Sequence, residues 1–218
     1  MRILLGYLLT FGWVFLMLGL TMVLKKATNA DDEVSRKIIH VSVAFAWIPM
    51  YFCFGSTWHL PVPTAVFILL NYVSYKKNLF SAMERTDESK KSLGTVYYAV
   101  SMTLMAICSV LRPACIVPYG AASFCMALGD GFAPIFGRIE KGNRTLLGSR
   151  TLYGSLSVLV ICFLVLLIMS TIFSLHLSLL QLLLTALAAT LLELVGVRGL
   201  DNLTLPLGVF LLLNLFLR

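Results

Sequence analysis

The chain has 218 residues, 59% of them hydrophobic and only 12% charged, against roughly a quarter charged in an ordinary soluble protein. With a mean hydropathy of +0.92, this excludes a soluble domain and predicts an all-α, polytopic transmembrane helical bundle, a single integral-membrane domain spanning 1–218. The net charge of +7 does not point to nucleic acid, because the cations sit in short stretches between apolar runs, where they suit anionic headgroups and phosphorylated ligands.

Eight apolar runs are candidate spans, at 3–24, 38–54, 58–75, 95–111, 114–136, 152–173, 177–197 and 203–217. The first lacks a small-residue cleavage pattern and reads as a retained span rather than a signal peptide. The loops between the runs alternate in charge. Lys25, Lys26, Arg36 and Lys37 follow the first run, Lys76, Lys77, Arg85, Lys90 and Lys91 the third, Arg138, Lys141, Arg144 and Arg150 the fifth, and Arg198 the seventh. Fourteen of seventeen cations thus fall on one side, leaving Arg2, Arg112 and Arg218 on the other. The positive-inside rule makes the first side cytoplasmic and sends both termini outward. The expected setting is a bacterial inner membrane with the site on its cytoplasmic face. Five cysteines lie in apolar runs with no CxxC pair and read as small core residues.

Taken in chain order, several motifs open toward that side. Arg36 and His40 are spaced to share a helix face, beside Lys37, where they can clamp phosphates or simply anchor the helix at the interface. Gly94-Thr95-Val96-Tyr97-Tyr98 begins a run with free backbone N–H groups and a hydroxyl, which suits an anion as well as it suits a helix cap. The stretch 128–155 starts with an intramembrane acid, Asp130, between Gly129 and Gly131, whose missing side chains leave room for a ligand. It then crosses Arg138, Lys141, Arg144 and Arg150 and ends at Gly154-Ser155. The segment 142–151 looks like a phosphate-binding P-loop but has the wrong glycine spacing and no preceding strand. Glu193 is a second intramembrane acid at a depth similar to Asp130, and two such carboxylates can share a divalent cation or pair with an arginine. Asp201 and Asn202 sit in a polar turn and offer oxygen ligands for magnesium, or turn chemistry. His59 and His176 fall on the opposite side, away from this group.

The ordered set RKxxH, GTVYY, GDGxAxxxGR, a basic residue with TxxGS, an intramembrane Glu and GxDNLTLP closely resembles the CTP-dependent lipid kinase family, which includes dolichol kinase, phytol kinase and CTP-dependent diacylglycerol kinase. The resemblance covers 36–206, and Arg150 stands where a lysine is usual. It implies phosphoryl transfer from a nucleoside triphosphate, CTP, to the hydroxyl of a membrane lipid alcohol of polyprenol, phytol or diacylglycerol type, with Mg2+ as cofactor. On that reading Asp130 and Glu193 are catalytic, and Asp130, Glu193 and Asp201 hold the metal. Arg36, Lys37, His40, Thr95, Tyr97, Gly129, Gly131, Arg138, Arg150, Gly154, Ser155 and Asn202 would bind the nucleotide. The bound cation would compensate the intramembrane acids, so removing either acid should leave folding intact. A CDP-lipid-forming cytidylyltransferase is the alternative, and an ion-coupled transporter is less well supported because the outer half is nearly free of charge.

Overall fold

The apolar runs fold as helices in the computed structural model, which describes residues 1–28, 32–77, 92–138, 145–148 and 150–218. The elements are α1 (Arg2–Thr28), α2 (Asp32–Ala44), α3 (Trp47–Phe54), α4 (Pro61–Lys77), α5 (Gly94–Leu111), α6 (Ile116–Phe124), α7 (Gly131–Gly137), β1 (Thr145–Leu147), β2 (Arg150–Thr151), α8 (Leu152–Ile172), α9 (Leu179–Val195) and α10 (Asp201–Phe216). A π-helical turn, Cys125–Asp130, joins α6 to α7. Among the described residues the fold is therefore all-α apart from one two-stranded hairpin. Among the described residues five stretches are long and apolar enough to cross a membrane: Arg2–Thr28, Val34–Phe54, Gly94–Leu111, Pro113–Gly137 and Leu152–Ile172. The other three apolar runs form α4, α9 and α10, which have 16 or 17 residues each.

Local chemistry explains where helices break or begin. Pro49 has no N–H for the Phe45 carbonyl four residues earlier, and that carbonyl instead accepts from the Ile48 N–H at 3.1 Å, tightening the turn between α2 and α3. Ser178 opens α9 with a capping box: its hydroxyl accepts from the Gln181 N–H while the Gln181 side chain accepts from the Ser178 N–H.

The stretch Pro113–Gly137 is the hub, 78% of its span buried against 22% for α1. Tyr119, Met126, Met105, Leu166, Leu182 and Leu213 interlock around it. Gly120 allows a close approach, since a Cβ there would lie 2.4 Å from the Trp47 ring. Outward faces carry Leu4, Leu8, Leu69, Ile168 and Leu211, while Ser101, Ser109, Ser123 and Thr185 point inward and donate to carbonyls of their own helices. That inversion of the soluble pattern suits a lipid-facing exterior. Arg2 Nε donates to the Phe52 carbonyl at 2.8 Å, so the start of α1 lies beside the end of α3.

Candidate active site

Asp130 closes the π-helical turn, a rare geometry that recurs at functional sites. Four residues later Pro134 has no N–H to give the Asp130 carbonyl. Lys37 takes that place: its Nζ lies 2.7 Å from the carbonyl and 2.6 Å from Oδ2 of the same residue. One turn along α2, His40 Nε2 lies 3.5 Å from that Oδ2, and its ring rests on Tyr98 of α5 with centroids 4.7 Å apart.

Arg150 arrives from a different direction. β1 and β2 pair Leu147 with Arg150 across Gly148, whose φ of +57° is a left-handed conformation that glycine adopts without strain. Thr151 then caps α8 by accepting from the Gly154 N–H at 3.2 Å. The guanidinium meets three carboxylates: Nη1 is 2.5 Å from Glu193 Oε1 and 3.8 Å from Asp130 Oδ1, and Nη2 pairs with Asp201 Oδ2. Burial works against the charge, but Glu193, Asp201 and Asp130 together hold the Arg150 pKa above its ordinary value. One cation thus ties the hairpin to the ends of three helical segments.

The turn before α10 is set by backbone contact. Gly199 has φ +84°, and a Cβ there would fall 2.8 Å from Gly94 Cα. A Cβ on Gly94 would meet Asn202 Nδ2 at 2.7 Å. The Ser101 hydroxyl donates to the Asn202 carbonyl at 3.0 Å. The first turn of α5 and the Asp201-Asn202 turn therefore fit only because both positions lack a side chain.

These groups surround a cavity of about 850 Å³. Its charged end holds Asp130, Glu193, Asp201, Lys37, Arg138 and Arg150, and its other end runs between α1, α2, α3, α4 and α5. Several buried polar atoms on its wall have no hydrogen-bond partner among the described residues: Thr95 Oγ1, Tyr98 Oη, Ser155 Oγ, Glu193 Oε2 and Asn202 Oδ1. Buried polar groups are almost always satisfied, so a cluster of orphans on one wall calls for a polar ligand or water.

Most of the residues expected from the sequence reach this cavity. Arg36, Lys37, His40, Thr95, Asp130, Arg138, Arg150, Gly154, Ser155, Glu193, Asp201 and Asn202 all line it. Tyr97, Gly129 and Gly131 do not, and Tyr98 stands where Tyr97 was expected. Gly129 makes room for Cys162 and Gly131 for Val41, with a Cβ at 2.9 Å and 2.5 Å respectively, so both serve helix packing. Lys141 and Arg144 lie outside the described residues. Sequence reasoning missed Tyr98, and it missed Asn71, whose Nδ2 donates to the Thr95 carbonyl at 2.9 Å. Adjacent tyrosines point about 100° apart on a helix, so only packing selects between them.

The expectation that either acid can be removed without harm to folding takes the acids as unpaired, and in this structure they are paired. Asp130 is paired with Lys37, and Glu193 with Arg150, by the chain's own cations. Removing Asp130 therefore strands Lys37, and removing Glu193 takes one of three carboxylates from Arg150. Among the described residues no three His, Cys, Asp or Glu side chains stand close enough to hold a metal ion. In this arrangement the Arg150 guanidinium fills the space among the three acids. The donor set itself, carboxylates with the Asn202 amide oxygen, is chemically suited to a hard divalent cation.

No protein-family model, curated protein or solved structure matches the chain.

Proposed function

We propose that the chain is a multi-pass membrane kinase, transferring the γ-phosphoryl group of a nucleoside triphosphate, with CTP the expected donor, to the hydroxyl of a membrane lipid alcohol. One observation carries this reading: a single cavity whose charged end holds cations, carboxylates and unsatisfied polar atoms, and whose other end is mostly apolar. A site that joins a phosphorylated ligand to a lipid needs both chemistries in continuity. The ordered motifs from Arg36 to Pro206 add the reaction type by resemblance.

Phosphoryl transfer asks for alignment and charge neutralisation more than for covalent chemistry. Arg36, Lys37, Arg138 and Arg150 would hold the phosphates, and Thr95, Gly154 and Ser155 would supply shape and polar contacts. The lipid hydroxyl oxygen attacks the γ-phosphorus, the bond to the β–γ bridging oxygen breaks, the nucleoside diphosphate leaves, and the hydroxyl proton passes to the Asp130 carboxylate. Glu193, Asp201 and Asn202 would hold a magnesium ion, which supplies charge neutralisation on the triphosphate; the phosphates would then compete for Arg150, drawing it from among the acids. Eight crossings, with the charged end cytoplasmic in a bacterial inner membrane, complete the proposal.

The test is thin-layer analysis of purified protein with γ-labelled CTP or ATP, magnesium and a panel of lipid alcohols. Labelled lipid phosphate with release of CDP is expected. Folded protein that labels no alcohol with either nucleotide would reject the reading, and a CDP-lipid with pyrophosphate would identify a cytidylyltransferase.

A further inference from the structure

We infer that the apolar limb of the cavity is a blind slot for one hydrocarbon chain, and that Ala46 and Met50 form the floor that sets the length of tail accepted. The headgroup chemistry rests on the kinase reading; the slot does not.

Four cavity-lining residues, Ile39 and Val43 of α2, Ala46 of the turn after it and Met50 of α3, recur three or four residues apart along this stretch. From Arg36 at the mouth to Met50 the wall is about 20 Å deep at the helical rise. Val14, Phe67 and Met102 face it from α1, α4 and α5, and the limb is apolar but for Thr10 and Thr64. Depth of this kind, opening onto the charged end, matches a tail whose polar head stays among the cations.

The limb stops short of the far surface. Beyond Met50 the Tyr7 and Phe54 rings pack with centroids 4.8 Å apart, and Tyr7 Oη is hydrogen-bonded to His59 Nδ1 at 2.9 Å. Gly6 lets Phe54 in, since a Cβ there would lie 2.5 Å from its ring. None of Tyr7, Phe54 and His59 lines the cavity, so this stack is the plug beneath the floor. At the side, Phe67 meets Phe11 at 5.6 Å and Phe15 at 6.1 Å, an aromatic seam that closes the limb between α1 and α4.

Capacity selects one chain over two. The whole cavity, about 850 Å³, lies within the range of roughly 300–1,000 Å³ typical for a single drug-sized ligand, and the charged end takes part of it. The occupant is therefore a single-chain lipid alcohol, a short prenol or a fatty alcohol, and not a diacylglycerol or a long polyprenol.

The test reads binding without nucleotide, so its outcome is separate from that of the kinase assay. Full-length protein in detergent is photolabelled with a fatty alcohol carrying a diazirine at the tail end, and the adducts are mapped by mass spectrometry. Adducts are expected near Met50, Ala46 and Thr10, suppressed by unlabelled phytol or hexadecanol and not by dioleoylglycerol or dolichol; phytol against hexadecanol separates a prenol slot from a fatty-alcohol slot. Ala46→Phe should shift preference toward farnesol by about tenfold or more, on the scale at which apolar pockets discriminate a methylene, and Met50→Ala should shift it the other way. Adducts spread over lipid-facing helix surfaces, or suppression by dioleoylglycerol as effective as by phytol, would overturn the inference. So would an unchanged competitor ranking in a folded Ala46→Phe or Met50→Ala protein. Photolabelling retained in a protein that transfers no phosphate would reject the kinase reading and leave the slot standing.

Discussion

Lys37 Nζ grips Asp130 twice, at the carboxylate (2.6 Å) and at the backbone carbonyl that Pro134 leaves without a helical donor (2.7 Å). The pair lies almost out of water, with side-chain exposures of 13% and 8%. The π-helical turn ahead of one helix thus becomes the attachment point for another, and charge, backbone and cavity wall meet in one contact.

That contact predicts a thermodynamic cycle. Asp130→Asn or Lys37→Met alone should destabilise the folded protein by about 3–5 kcal/mol, because each leaves a buried charge without its partner. The double variant should recover much of the loss in a detergent melt, yet remain inactive in phosphoryl transfer. Additive losses in the cycle would show that the two side chains are not coupled.

Arg150 should tolerate lysine poorly. Its two terminal nitrogens serve Glu193 and Asp201 at once, which a single ammonium cannot reproduce. Arg150→Lys is expected to raise the nucleotide KM at least tenfold, in line with a lost charge-assisted contact of about 1.5–3 kcal/mol, and Arg150→Ala to raise it further. Wild-type KM in both would remove the hairpin from the site.

The glycine contacts give a packing test. Gly199→Ala forces a residue with a Cβ into φ +84° and against the Gly94 backbone, and should cost about 1–3 kcal/mol while displacing Asp201 and Asn202. Gly12→Ala and Gly19→Ala, where a Cβ would meet nothing within 4 Å, should leave melting and activity unchanged. If melting curves of Gly199→Ala overlay the wild type, the turn does not depend on this approach.

Sidedness is open to direct labelling. In a background with all five cysteines replaced, single cysteines at Lys77 and Arg198 should react with a membrane-impermeant maleimide only after the cytoplasmic side is exposed. Cysteines at Ser56 and His176 should react from outside in intact cells. The reverse pattern would invert the topology.

The sequence by itself determined the membrane class, the helical runs and the end of the bundle where the charged groups gather. Hydropathy and loop charge are local quantities, summed along the chain without knowing what touches what. It also singled out Asp130, Glu193, Asp201 and Arg150, because a charge inside an apolar run is costly enough to stand out. Only the tertiary structure decided how those charges are compensated. Lys37 and Asp130 are 93 residues apart, Arg150 and Asp201 are 51 apart, and nothing in their local spacing announces the pairing. Helix rotation likewise chose Tyr98 over Tyr97, and packing assigned Gly129 and Gly131 to helix contacts and Gly94 and Gly199 to the site. The apolar limb was invisible in sequence for the same reason. Its wall is built from five helices, α1 to α5, and a cavity is a property of the space between side chains, fixed only when the helices dock.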